Sequence, residues 1–468
     1  MSTAPAAATA DAFDNTWCEV DAGDFWLITD ASETEARQMV RTLQAFRPVA
    51  ARYLPGRANP ADPPLTVMVF DGRRDFRRAI GTSVVGFLVP SLDENLMVVG
   101  PDPNAFAPWD SLLHEYVHYL LRTRLDVNLP SWYDEGLSGM LSSARLEDGR
   151  VVVGELPTEA LRHGIDESRL SLAEVLEAED VWDWRRERTR GFYDWSRLLV
   201  HRLALGHLDG REDWRAGMER YLADDAPSLP AALGQTAQGM ARELERYLRD
   251  PVTVAHAATP PPETALPYRC LDASEIVERV ALAVLHHNPR DAARRIEARL
   301  EADPDNAGLW RTLSLAREAA DDSEGALAAA RQARTLAPED PATAVRLAGA
   351  LAMGCITRAS EACSARWREA VPLLRGALAR APRRQDAVFL LGLAYLYSGR
   401  AGDALNYLRI AHRRQPWAAH VNFYLGESYR LIGDSRARAH LEQARQWSPT
   451  GLWRTLAEAG LRELPPNP

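Results

Sequence analysis

Apolar residues along this chain change their spacing about halfway. From Asp24 to about Asp250, short apolar runs alternate with segments whose apolar positions fall three and four apart. DFWLITD and LTVMVFD predict short strands. Between them, SETEARQMVRTLQAFRPVAARYL predicts an amphipathic helix, with Ser32 as N-cap and Glu35 three residues on. GFLVPSLDENLMVVG predicts a hairpin or a pair of strands around a polar turn near Asp93. An apolar helix follows at once in WDSLLHEYVHYLL, and Ser131, with Asp134 three on, predicts the N-cap of another. Beyond residue 155 the pattern is mostly helical. This half therefore predicts an α+β fold, a small early sheet followed by helices. Residues 1–23 predict a poorly ordered tail before a domain over 24–250, and the Pro- and Ala-rich stretch 251–271 predicts a linker.

The remainder, 272–468, repeats. In AVFLLGLAYLYSGRAGDALNYLRIAHRRQP, residues Val388, Leu391, Gly392, Tyr395, Ala404, Leu408, Ala411 and Pro416 resemble, in type and spacing, the tetratricopeptide repeat, a helix-turn-helix unit of about 34 residues. Leu425, Gly426, Tyr429, Ala437, Leu441, Ala444 and Pro449 form the next copy, with one residue missing between its helices. An earlier copy shows Trp310, Leu313, Ala326, Ala330, Ala333 and Pro338. The copy between them, with Val345, Gly349, Ala370, Leu374, Ala377 and Pro382, has an inter-helix turn nine residues longer, GCITRASEACSAR. Ala292, Ile296 and Pro304 mark a degenerate first unit. The resemblance implies an all-α superhelix of about five units plus a C-terminal helix, with a concave face able to take a protein partner.

Composition narrows the function. Acidic residues outnumber basic ones, 65 to 55, giving a formal charge of −10, which argues against a general nucleic-acid binder. Every basic residue is Arg, and codon bias explains that as well as function does. No apolar run reaches the roughly 18 residues of a membrane span. MSTAPAAATADA is not an intact signal peptide, but it resembles the small-residue tail that follows one. A mature form of that kind would be periplasmic or secreted; otherwise the chain would be cytoplasmic. Cys355 and Cys363 lie close enough to form a disulfide in an oxidising compartment or to remain free thiols.

His114 and His118 stand four apart, so on a helix they share a face and can converge on one metal ion. Glu115 lies about 100° around from His114, aside from the metal but within reach of a water beside it. H-E-x-x-H thus supplies two ligands and a general base. A plain helix with two half-buried histidines and a surface Glu is the alternative. Zinc needs a third protein ligand, and Glu135, in the first or second turn of the helix begun at Ser131, offers one. Sixteen residues separate it from His118, enough for one helix to end and another to return. Gly136 and Gly139 would let the second helix pack close to the first. Asp134 could orient a ligand or serve only as the N-cap partner.

HEYVH followed by WYDEG resembles the gluzincin class of zinc metallopeptidases over about residues 24–250. The resemblance implies a zincin-like fold, one Zn2+ per chain on His114, His118 and Glu135, and Glu115 as general base in peptide-bond hydrolysis. It also implies that NLMVVG is the edge strand along which substrate lies, and that Tyr193 steadies the oxyanion. No G-x-M-E-N motif is present, which favours an endopeptidase over an aminopeptidase. The repeats would then recruit or position a protein or peptide substrate. The alternative is a non-catalytic interaction scaffold with a relic zincin domain. GRRDFRRA predicts the solvated face of a helix, VWDWRRERTRGFYDW packing under a loop or a lid, and His201 a structural role.

Overall fold

The computed structural model describes residues 15–465 apart from 60–62, 81–84, 90, 103–108, 126–128, 179–180, 182–183, 224, 258–265, 286, 354, 356–360, 447 and 449–450. Strands β1 (Cys18–Asp21) and β2 (Phe25–Thr29) pair antiparallel, and helix α1 (Glu33–Ala50) follows. Its start is the capping box read from the sequence: Ser32 accepts from the Glu35 backbone N–H and Glu35 accepts in return. Next come β3 (Arg57–Ala58), β4 (Leu65–Val69), the Arg-rich α2 (Arg73–Ala79), and the hairpin of β5 (Gly86–Val89) and β6 (Asn95–Val99). Helix α3 (Asp110–Arg122), β7 (Arg124–Leu125) and α4 (Ser131–Ser142) lead to a second hairpin, β8 (Arg145–Glu147) and β9 (Arg150–Val153). Helices α5 (Thr158–Ser168), α6 (Leu172–Glu177), α7 (Arg186–Leu205), α8 (Arg215–Leu222), α9 (Leu229–Ala232) and α10 (Ala237–Tyr247) complete this half.

Six strands make the main sheet in the order β11-β1-β2-β4-β6-β5, where β11 is Tyr268–Cys270. Strands β2, β4 and β6 run parallel, and β5 closes one edge antiparallel to β6. Alternation splits the side chains between two faces. Leu27, Val67, Val69, Met97 and Val99 share a core with α1, α3 and α4. Ile28, Met68 and Val98 share another with Phe70, Phe76 and the first helices of the repeats. Both faces of this mixed sheet, parallel at its centre, are therefore covered, as its continuous apolar central strands require.

The sheet extends into both segments expected to lie outside the domain. Cys18–Asp21 is a strand rather than tail, because Val20 is apolar, fully buried and paired on both sides; the part of the tail before residue 15 lies outside the described residues. In place of a free linker, β10 (Val254–Ala257) pairs with β9 and β11 pairs with β1. Cys18 and Cys270 face each other across β1 and β11 and are joined by a disulfide.

The second half is five helix pairs and a closing helix: α11 (Ala273–Val284) with α12 (Pro289–Leu300), α13 (Ala307–Ala319) with α14 (Ser323–Leu336), α15 (Pro341–Met353) with α16 (Glu361–Arg380), α17 (Gln385–Tyr397) with α18 (Ala401–Arg414), α19 (Ala419–Leu431) with α20 (Arg436–Gln446), then α21 (Leu452–Arg462). The in-phase small residues Ala326, Ala370, Ala404 and Ala437 are fully buried where paired helices meet. The nine-residue insertion does not all lie in a turn: Glu361 begins a 20-residue α16, and Cys363 within it is bonded to Cys355. Among the described residues no helix is long and apolar enough to cross a membrane.

Candidate metal centre

Leu112, Leu113, Tyr116, Val117, Leu120 and Leu121 bury one side of α3 and fix its rotation, which turns His114 and His118 toward α4. Their Nε2 atoms lie 3.1 Å apart, and Glu135 Oε2 sits 3.4 Å from each. Oε2 is buried without a hydrogen-bond partner. Three electron-pair donors so placed are costly unless a cation lies among them. The spacing fits one: donors held tetrahedrally at 2.0–2.1 Å from an ion stand about 3.3 Å apart. His114, His118 and Glu135 are the group among the described residues able to hold a metal ion.

The second nitrogen of His118 is also fixed. Nδ1–H donates to Asp134 Oδ1 at 2.8 Å, with Ser138 Oγ at 3.3 Å, which leaves Nε2 free to ligate. In the metal-free chain burial works against a charge on His118, but the carboxylates of Asp134 and Glu135 together hold its proton well above the ordinary range. Glu135 is also buried, yet its imidazole neighbours, His118 foremost, hold it far below the usual carboxylate range. A field that favours a proton there also favours a metal cation.

Two expectations about α4 are corrected. The helix begins at Ser131 itself, with Pro130 as its N-cap and no side-chain cap bond, so Asp134 is spent on His118 rather than on capping. Gly136 and Gly139 do not serve the approach to α3. A Cβ on Gly136 would meet the Ser196 carbonyl oxygen at 2.3 Å, and one on Gly139 would touch Arg197, both on α7. That approach sets the position of Tyr193. Burial, then the charges of Glu135, Glu115 and Asp134, push the Tyr193 phenol well above its ordinary value, so it is protonated and able to donate. His201, two turns on, is fully buried, with Nε2 on the Gly154 carbonyl and Nδ1 on the Tyr247 hydroxyl, both at 2.8 Å. It has no part in the cluster.

The strand beside the site is not the one expected. NLMVVG, which is β6, lies one strand in from the edge; β5 is the edge. A Cβ on Gly86 of β5 would come within 2.6 Å of Glu115 Cγ, so only a glycine lets this strand pass over the Glu115 side chain. Ser138 is a site residue that sequence reasoning misses, although its place four residues after Asp134 puts it on the same helix face.

No family model matches the chain, and no curated protein matches it. Solved structures do. A tetratricopeptide protein of Thermus thermophilus is 18% identical over 41% of this chain and 100% of its own, with a TM-score of 0.34. YrrB, described as a repeat protein with an unusual peptide-binding site, is 17% identical over 40% and 90%, at 0.30. MamA of Desulfovibrio magneticus RS-1 is 18% identical over 38% and 97%, also at 0.30. The first two of these are described as tetratricopeptide proteins.

Proposed function

We propose that the chain is a zinc-dependent peptidase, an endopeptidase, with a gluzincin-like centre on a zincin-like fold. The observation that carries this reading is the triangle of donor atoms on His114, His118 and Glu135, sized for a tetrahedral ion, with Glu115 next in sequence to a ligand. These three residues would hold Zn2+. When bound, zinc supplies Lewis acidity, polarising a carbonyl and making water acidic enough to ionise near neutral pH. Glu115 takes the proton of the attacking water and returns it to the leaving amine. Tyr193 donates to the carbonyl oxygen as it gains charge. Asp134 keeps His118 in the tautomer that presents Nε2. The edge of β5 offers main-chain groups to an extended peptide next to Glu115.

A second reading is an interaction scaffold carrying a relic site, and the regular helical-repeat half favours it, being a surface built for proteins rather than for chemistry. Two of the neighbouring structures are described as tetratricopeptide proteins, and the name of YrrB mentions a peptide-binding site. Under either reading a protein or peptide is the partner. Two disulfides, with no free cysteine among the described residues, support an oxidising compartment, periplasmic or secreted.

The test is zinc content by plasma mass spectrometry beside turnover of quenched peptides. Wild type should hold about one zinc, Glu135→Ala should lose it, and Glu115→Gln should keep it while turnover falls about 10^2- to 10^4-fold. Wild type without zinc, even after zinc is supplied, would leave the scaffold as the better account.

A further inference from the structure

The turn between β5 and β6 leaves the sheet and enters the repeats. Helix α17 has Arg384 as its N-cap residue, which makes no side-chain cap bond. Its first two amides, on Gln385 and Asp386, donate instead to Asp93 Oδ1 and Oδ2, each at 2.8 Å, from 292 residues earlier in the chain for Gln385. Asp93 thus caps a repeat helix from the other half of the molecule, its charge placed at the positive end of the helix dipole. Leu92 beside it is buried among Ala411, Ala418 and Val421, at the junction of two repeats. The Ser91 carbonyl accepts from the Gln415 side-chain amide, and Glu94 accepts from Arg279 at 3.2 Å.

The metal-bearing helix is tied to the same stretch. Asn59 donates its side-chain amide to the carbonyls of Arg413 and Arg414 at 3.2 and 3.0 Å, and its backbone amide to Thr123, the C-cap residue of α3, at 2.7 Å. Arg122, the last residue of α3, lies over the ring of Trp417 at 5.9 Å. Both walls of the cleft, the edge strand that passes over Glu115 and the helix that carries it, are therefore fastened to residues 411–421.

We propose that the repeat superhelix is the mount of the substrate cleft, and that Asp93 is a positioning residue which, by capping α17, sets the edge strand β5 against Glu115. The inference rests on the peptidase reading for its kinetic consequence and on hydrogen bonds and packing for its structural one. The repeats then act on the reaction through geometry rather than by recruiting substrate from a distance. A shift of the superhelix would move β5 and α3 relative to one another.

The experiment uses the full chain loaded with zinc and a quenched extended peptide. Asp93→Ala should keep one zinc and the wild-type pH profile, with kcat within about twofold, while KM rises about tenfold. Asp93→Asn, which keeps one of the two accepting oxygens and none of the charge, should recover part of that loss. Gln415→Ala cuts the contact from the repeat side, should raise KM in the same sense, and carries the test should Asp93→Ala not fold. An unchanged KM in the variant that folds, a fall in kcat in its place, or no rescue by asparagine would overturn the proposal. Hydrogen exchange at residues 86–89 separates the two readings. If wild type with zinc shows no turnover, the peptidase reading fails, yet faster exchange in β5 of Asp93→Ala and Gln415→Ala would still establish the mount. Unchanged exchange would sink it whatever the activity.

Discussion

The helices around the candidate metal centre and the helices of the repeats use one packing device for different ends. In the repeats, Gly392 lets α17 approach α18, where an added Cβ would meet Leu408 at 3.0 Å, a side chain on the next helix of the same unit. At the centre, Gly136 lets α4 approach α7, where an added Cβ would meet backbone oxygen at 2.3 Å, sixty residues away in the chain. The repeat contact is local and yielding; the site contact is distant and rigid. One builds a stackable unit. The other fixes how polar side chains meet.

Gly136→Ala should break the second kind of contact with the largest cost. Backbone cannot step aside as a leucine tip can, so about 3 kcal/mol of stability should go, with weakened zinc retention, measured by denaturant unfolding and metal analysis. Acid should act on both halves through neutral imidazoles, His201 fully buried and His420 half-buried. Burial, with some opposition from the Gly154 carbonyl bond, lowers His201 to about 4, and burial lowers His420 in the repeats to about 4. The unfolded chain takes these protons near pH 6.5, so the stability is fully present above 6.5 and is lost as pH falls toward 4. For His201 this amounts to about 3 kcal/mol. His201→Gln should flatten that part of the pH–stability curve, and an unaltered slope would remove the assignment. Asp134→Asn should weaken zinc binding about 10- to 100-fold without unfolding the chain, measured by competition with a chelator. Gly392→Ala should be felt least, within about 1 kcal/mol, since helix propensity gained offsets the push on Leu408. An equal cost at Gly136 and Gly392 would erase the distinction.

The difference also explains what the sequence made legible. Each repeat touches mainly its neighbours, so a fixed spacing of Ala, Leu and Gly reports the contact directly. The approach of His114, His118 and Glu135 was readable for a similar reason, since helical spacing and one short connection bring them together. What stayed hidden depends on distant partners. The choice of Asp134 between capping and His118 turned on where α4 starts. Which strand is the edge turned on the hairpin doubling back, and a run such as NLMVVG reads alike in either place. The glycines of α4 announced a close approach without saying to which helix. Cys18 and Cys270 gave no sign of each other across 252 residues, because only the strand order places β11 beside β1.

That strand order has a consequence during synthesis. A ribosome delivers β1, β2, β4 and β6 long before β11, and before α11, whose Ile276 and Val280 help cover the face bearing Ile28, Met68 and Val98. Until those later residues emerge, the nascent sheet has one face only partly covered, by Phe70 and Phe76, and β1 lacks its outer partner, a template for sticking to other chains. The N-terminal half cannot finish on its own, and its completion must wait for the start of the repeats.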